Sequence, residues 1–234
     1  MIVGRGTPFL VVVPARGGSK RVPGKNRRLL AGRPLVEWSI EHVARCTTPM
    51  RLVVSTDSSE IAALAIAAGA EVPFIRPAEL ATDEAPTEPV LVHALDATPG
   101  ASEAEHVVLL PPTSPIRRDG SIDAAVARYR ALGADSLVSV TEASPLQWSG
   151  PLDSPRPLYD TNARPRLQSV APQMRRYREN GSIVITSAAG LRASGNRICG
   201  KTVMFVMSPE EGIDLDCEYD FWMAEQWLRS AHAY

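Results

Sequence analysis

The sequence has only three cysteines, no long apolar run and almost no net charge. The three cysteines match no zinc-ligand spacing, which argues against a disulfide framework or a structural zinc site and favours a reducing compartment. The first apolar run, residues 9–13, is shorter than the roughly 7–15 residues of a signal peptide core and the about 20 that cross a membrane. We therefore expect a cytoplasmic protein without a membrane segment.

The balance of charge excludes a strong overall field. Lysine and arginine number 25 against 26 acidic residues, for a net charge of −1. No binding to nucleic acid or to an anionic membrane surface is predicted from this balance, so an anionic ligand must be held by local positive charge. With 234 residues and 44% hydrophobic residues, the whole chain, residues 1–234, is expected to form a single domain.

Apolar segments of two kinds alternate along the chain, which predicts an α/β fold with a mostly parallel sheet. Short continuous apolar runs, typical of strands buried on both faces, occupy residues 9–13, 51–55, 106–110, 136–140, 181–186 and 201–207, with 71–75 a further candidate. Helical spacing or helix-start signals occur at residues 34–45, 61–68, 86–97, 122–132 and 221–228. Ligands of such sheets bind beyond the carboxyl ends of the strands, so the loops after Val13, Ser55 and Leu110 are expected to carry the chemistry.

Proline interrupts the chain between residues 141 and 173. Six prolines fall in this segment: Pro145, Pro151, Pro155, Pro157, Pro165 and Pro172. Such spacing breaks any long helix or strand, so residues 141–173 are predicted to form either an extended arm or a small subdomain inserted in the sheet.

The loop after the first strand combines glycine with positive charge. It runs Pro-Ala-Arg-Gly-Gly-Ser-Lys-Arg-Val-Pro-Gly-Lys-Asn over residues 14–26 and carries four cations, Arg16, Lys20, Arg21 and Lys25. Glycines let backbone N–H groups approach an anion, and the cations can neutralise a triphosphate. The loop lacks the ending of a Walker P-loop and the dinucleotide fingerprint. A solvated basic loop is the alternative, but the strand and the glycines favour a phosphate site.

A pair of carboxylates near the carboxyl terminus predicts a metal site. Asp214 and Asp216 stand at alternate positions, and alternate residues of a strand point to the same face. Paired carboxylates together with phosphate oxygens are the ligands that Mg²⁺ prefers, with Mn²⁺ as a possible substitute. The alternative is an acidic surface turn.

These segments resemble the CMP-acylneuraminate synthetases, the cytidylyltransferases that activate sialic acids and related sugar acids. The resemblance continues, in family order across nearly the whole chain, at residues 53–58, 76–83, 112–117, 178–181 and 213–216. It implies a Rossmann-like three-layer nucleotidyltransferase fold that uses CTP and Mg²⁺. Members of the family dimerise through an arm, so the resemblance also implies a homodimer formed by the dimerisation arm at residues 141–173.

The resemblance implies a role for individual residues. Catalysis would fall to Arg16, Lys25 and Asp216, with Lys25 the main stabiliser of charge at the α-phosphate. The metal ligands would be Asp214 and Asp216, while Asp57 either lies beside the nucleotide or caps the following helix. The acceptor would be bound by Pro111, Thr113, Ser114, Arg166 and Asn180. The nucleotide would be bound by Ala15, Arg16, Gly17, Gly18, Ser19, Lys20, Lys25, Asn26, Arg76, Ala85 and Thr87.

Three departures from the family pattern fall on the acceptor side. The glutamine before Pro-Thr-Ser-Pro is Pro111 here, the tyrosine after Asn-Gly is Val184, and the Arg-Gln pair has no clear copy. Fewer hydrogen-bonding residues favour a small anionic acceptor, such as the phosphonate phosphonoformate, over a sugar acid of the sialic, legionaminic or pseudaminic kind.

The predicted reaction is in-line attack by an acceptor oxygen on the α-phosphorus of CTP, with release of pyrophosphate. Two other functions stay open at this point. One is a nucleotide-binding sensor without catalysis, and the other is a guanylyl- or uridylyltransferase with the same architecture.

Overall fold

The computed structural model describes residues 8–166, 168 and 170–231, and a six-stranded sheet lies at its centre. The strands are β1 (Phe9–Pro14), β2 (Leu29–Leu30), β3 (Arg33–Pro34), β4 (Arg51–Ser55), β5 (His106–Leu109), β6 (Ser136–Ala143), β7 (Trp148–Ser149), β8 (Arg156–Pro157), β9 (Arg176–Ser187) and β10 (Thr202–Met207). The helices are α1 (Leu35–Ala44), α2 (Ser59–Ala67), α3 (Thr87–Ala97), α4 (Ser121–Ala131), α5 (Ala188–Ser194) and α6 (Glu218–Ala231).

The central sheet is mostly parallel, as the alternation of strands and helices predicts. Its order is β10-β6-β9-β5-β1-β4. Strand β1 runs parallel to β4 and β5, and β10 runs parallel to β6, whereas β9 is antiparallel to both of its neighbours. The carboxyl ends of β1, β4 and β5 therefore meet at one edge of the sheet, where the candidate site lies.

Helices cover both faces of the sheet, which makes the fold three-layered. Phe9, Val11 and Val13 face one layer, where they join the buried residues of α1, α2 and α4. Leu10 and Val12 face the opposite layer, which contains α3 and α5. This alternation explains why the first strand is apolar at every position: each of its two faces lies against a layer of helices.

Three parts of the fold differ from the sequence prediction. Residues 71–75 form no strand, because only Glu71 makes a bridge, to Val53, before the chain turns away. The predicted strand at 181–186 is longer, since β9 starts at Arg176 and pairs with both β5 and β6. Helix α5 was not predicted; it is a seven-residue helix capped by the Ser187 side chain, too short for a clear apolar period.

The proline-rich segment projects from the sheet between β6 and β9. Strand β6 continues to Ala143, so the segment begins three residues later than predicted. It contains the short antiparallel pair β7–β8 and carries exposed apolar side chains at Trp148, Leu152 and Leu158. An exposed apolar surface of this kind suits an interface, and the dimerisation arm stays a prediction. Among the described residues, no helix is long and apolar enough to cross a membrane.

Candidate active site

A cavity of about 280 Å³ opens at the carboxyl edge of the sheet, between the glycine loop and the segment that precedes α3. It is the place that the strand order predicts for a ligand. The structure brings ten of the predicted site residues to its walls: Arg16, Gly18, Ser19, Lys25, Asn26, Arg76, Ala85, Thr87, Pro111 and Thr113. Leu80, Thr82 and Asp83 also line it, although the sequence analysis gave them no role.

Hydrogen bonds from neighbouring segments hold the glycine loop in place. The backbone N–H of Gly17 donates to Asp57 Oδ1 at 2.8 Å, and the Asn26 side chain donates to the Arg16 carbonyl at 2.9 Å. A side chain at Gly17 would meet the Ser58 Cβ at 3.0 Å, a tight contact, so the close approach of the two loops favours a glycine there. Asp57 therefore holds the glycine loop through its hydrogen bond with Gly17, and Ser58 rather than Asp57 caps helix α2.

Lys25 connects the glycine loop to the carboxylate segment. A left-handed turn at Gly24, with φ of 66°, directs the chain into a short 3-10 helix that starts at Lys25. The lysine is 8% exposed, and its Nζ donates to the Leu215 carbonyl at 2.5 Å and lies 3.4 Å from Asp216 Oδ1. Arg21 approaches the other oxygen of Asp216 at 2.8 Å. Two cations of the loop thus converge on one candidate metal ligand.

Asp83 makes a matching contact with the other two cations. Its carboxylate lies 2.5 Å from Arg16 Nη2 and 2.7 Å from Lys20 Nζ. The hydrogen bond from Lys20, together with that from Arg16, lowers the pKa of Asp83, so the carboxylate is charged at neutral pH. Each of the four loop cations therefore faces one of two carboxylates.

Asp214 and Asp216 lie in an extended segment rather than in a strand, yet both line one second cavity, of about 720 Å³. Leu215 between them is fully buried, and its N–H donates to the Thr113 carbonyl at 2.8 Å. Alternation therefore places the two carboxylates together without a sheet. Asp214 keeps an exposed edge on the open cavity, but partial enclosure by protein raises its pKa, and the negative charge of Asp216 raises it further.

The oxygen ligands that this carboxylate pair offers suit a magnesium ion. No group of three or more histidine, cysteine or acidic side chains is placed to hold a metal among residues 8–166, 168 and 170–231. A metal at Asp214 and Asp216 would thus complete its shell with phosphate oxygens and water, as Mg²⁺ commonly does. The raised pKa of Asp214 fits the same role, because a cation would stabilise the charged carboxylate.

An irregularity between β6 and β9 shapes the second cavity. Pairing passes from Val138–Val184 to Val140–Glu179, so β9 accommodates extra residues around Asn180 and Gly181. Asn180 is 5% exposed; its Oδ1 accepts hydrogen bonds, while its Nδ2 has no partner among the described residues. Asn180 lines the cavity, with its unpartnered Nδ2 buried in the cavity wall.

Arg117 braces the two loops that border the cavities. It is buried, and it donates to the carbonyls of Pro111 and Ser182 and to the Ser39 hydroxyl. Burial lowers the pKa of Arg117 to about 9. Ser114, also buried, donates to the Asn180 carbonyl at 3.4 Å. The Pro-Thr-Ser-Pro-Ile-Arg motif, residues 112–117, thus has a structural role in holding these loops together, which was not predicted from sequence.

Some predicted residues lie away from the cavities. Arg166 is exposed in the arm and is absent from the walls of both cavities. Val184 is buried in the core beside Val138 and Leu109, so the valine at this position does not border the second cavity. Ala15 continues the pairing of β1 by donating to the Ser55 carbonyl and supports the loop from within the core.

A basic glycine loop, a nucleotide-sized cavity and a carboxylate pair next to a second cavity form the site of a nucleotidyltransferase. Comparisons with known proteins agree with this class. The family model described as Cytidylyltransferase matches residues 10–162. The chain belongs to the cytidylyltransferase family and is a nucleotidyltransferase.

Individual relatives extend the match over most of the chain. A CMP-N,N'-diacetyllegionaminic acid synthase of Legionella pneumophila is 35% identical over 224 residues, which cover 93% of this chain and 95% of that protein. An N-acylneuraminate cytidylyltransferase of Escherichia coli is 31% identical over 93% of this chain, which spans 51% of that protein. A solved CMP:2-keto-3-deoxy-manno-octonic acid synthetase shares the fold, with a TM-score of 0.68 at 17% identity, over 96% of this chain and 100% of that one.

Proposed function

We propose that this chain joins CMP from CTP to a sugar acid of the legionaminic, sialic or pseudaminic kind and releases pyrophosphate. The observation that carries the proposal is the second cavity, about 720 Å³ and lined by polar groups, which opens directly beside Asp214 and Asp216. Hydrogen-bonding groups of this kind suit a hydroxylated acceptor. Two relatives that span most of the chain are also named for sugar acids of this kind.

This proposal corrects the expectation of a phosphonate acceptor. That expectation depended on the loss of hydrogen-bonding residues at Pro111 and Val184. Val184 packs in the core. Pro111 borders the first cavity, beside the glycine loop, which is called the nucleotide cavity below. Neither departure therefore removes a group from the second cavity. Arg178, Glu179 and Asn180 supply polar groups there instead.

The two cavities would divide the work of the reaction. Arg16, Lys20 and Lys25 would neutralise the phosphates, with the buried Lys25 aimed at the α-phosphate. A magnesium ion held by Asp214 and Asp216 would supply further charge neutralisation. On the acceptor side, Arg178 and Asn180 would border the sugar acid, whose oxygen attacks the α-phosphorus in line.

Arg76 would stabilise the part of the nucleotide cavity that binds the cytosine base. It is 5% exposed, and it donates to the Ser55 hydroxyl at 3.0 Å and to the Leu80 carbonyl at 3.4 Å. Its burial lowers its pKa to about 10. These bonds hold the chain that leads to Ala85 and Thr87, whose backbone groups would contact the cytosine.

The proposal is tested by pyrophosphate release with CTP, UTP and GTP, each offered with sialic-type sugar acids and with phosphonoformate. Turnover with CTP and a sugar acid is expected. Turnover with phosphonoformate alone would refute the acceptor class, and CTP binding without turnover would favour the sensor.

Arg178→Met should raise the KM for the acceptor roughly tenfold while leaving the KM for CTP unchanged. Arg176→Met, an exposed neighbour on β9, is the control and should change neither.

A further inference from the structure

Asp83 occupies the position of an anion within the phosphate site. Its two oxygens take one cation each, Arg16 at 2.5 Å and Lys20 at 2.7 Å. The residue stands in the segment between Arg76 and α3, across the cavity from the glycine loop, and it lines both the nucleotide cavity and the neighbouring pocket of loop cations. A carboxylate that bridges two cations has the geometry of a bound phosphate oxygen pair.

The contact sets up a competition for the same positive charge. A polyphosphate needs Arg16 and Lys20 as hydrogen-bond donors, and both are already engaged by Asp83. The negative carboxylate would also repel phosphate oxygens at this distance. Asp83 and Asp216 both line the pocket of loop cations. Asp216 differs in also sharing the second cavity with Asp214, where a metal ion could take its carboxylate when the phosphates arrive.

We infer that Asp83 is an internal competitor of the polyphosphate, setting the affinity of this site for CTP and for pyrophosphate. This inference rests on the proposed function. The carboxylate gives up Arg16 and Lys20 when the triphosphate enters, and it retakes them when pyrophosphate leaves. Asp83 thereby weakens the binding of the charged product and speeds its release, at the cost of some affinity for CTP.

The test compares Asp83→Asn with the wild-type chain by calorimetric binding of inorganic pyrophosphate and of CTP without metal. Removing the charge should tighten both about fivefold, more at low salt than at high salt, because the competition is electrostatic. Glu84→Gln is the matched control, since Glu84 is an exposed acid one residue away with no ion pair among the described residues; it should change neither affinity. Unchanged or weaker binding by Asp83→Asn would overturn the inference.

A second variant separates competition from a loss of loop structure. In a Lys20→Met background, the gain from Asp83→Asn should shrink, because one of the two contested cations is gone. An undiminished gain would contradict the assignment. The outcome is separable from that of the proposed function: a chain that turns over CTP but shows no gain in Asp83→Asn refutes only this inference. A chain that binds pyrophosphate with the predicted gain but transfers no CMP refutes only the reaction.

Discussion

Replacing Lys25 by methionine removes a buried cation of the glycine loop that contacts the carboxylate segment. The lysine is 8% exposed, and its Nζ lies 2.5 Å from the Leu215 carbonyl and 3.4 Å from Asp216 Oδ1. Methionine keeps the length of the side chain and its apolar stem while deleting the charge. The variant therefore tests whether the positive charge at this point stabilises the transition state.

Two separate losses follow from these contacts. The Leu215 carbonyl loses its donor, which should lower the free energy of unfolding by about 1–2 kcal/mol. The developing charge at the α-phosphate loses a preorganised donor, which should lower kcat by roughly 10²–10³-fold, or about 3–4 kcal/mol of transition-state stabilisation. The kinetic loss thus exceeds the loss in stability, and the two are measured independently.

The assay is initial-rate pyrophosphate release under saturating CTP and acceptor, paired with urea unfolding of the same samples. Arg27→Met serves as the control, because Arg27 belongs to the same short helix, is exposed and pairs with Glu60. The control should lose less than about threefold in kcat. A folded Lys25→Met variant that keeps kcat within about threefold of the wild type would refute the role assigned to this lysine.

Two further predictions concern a support of the glycine loop and a half-buried histidine. Asp57→Ala should raise the KM for CTP about fivefold, because the Gly17 N–H loses its acceptor, whereas Asp57→Asn should restore most of the affinity; equal losses in both variants would contradict this. Burial lowers the pKa of His42 from 6.5 to about 4, so the unfolded chain binds the proton first and stability is lost as the pH falls. Between about pH 7 and pH 5 the free energy of unfolding should drop by up to about 2 kcal/mol, and His42→Gln, which keeps a donor toward Pro115, should flatten this dependence. If the free energy of unfolding of the variant depends on pH as it does in the wild type, other titrating groups cause this dependence.

The strand order and the phosphate loop were accessible from sequence for clear physical reasons. Strands such as β1 and β4 are apolar at consecutive positions because helices cover both of their faces. The glycine loop stands out because Arg16 to Lys25 concentrate charge where a parallel sheet places its ligands. Both signals are local, so neither requires knowledge of distant contacts.

The unpredicted features depend on contacts between distant segments. Asp83 meets Arg16 across the mouth of the cavity, 67 positions later in the chain, and no local pattern marks such a pair. The irregularity at Asn180 needs the pairing of β9 with β6 to be known. Val184 was interpreted by its place in a motif, but its register against Leu109 and Val138 puts it in the core.

The most direct test of CMP transfer follows the phosphorus atoms of CTP by ³¹P nuclear magnetic resonance in the presence of Mg²⁺ and a sialic- or legionaminic-type sugar acid. Transfer at the α-phosphorus should replace the three CTP signals by pyrophosphate and one new phosphodiester signal, that of CMP joined to the sugar acid. Production of CDP and inorganic phosphate, or CTP that stays intact while bound, would contradict transfer at the α-phosphorus.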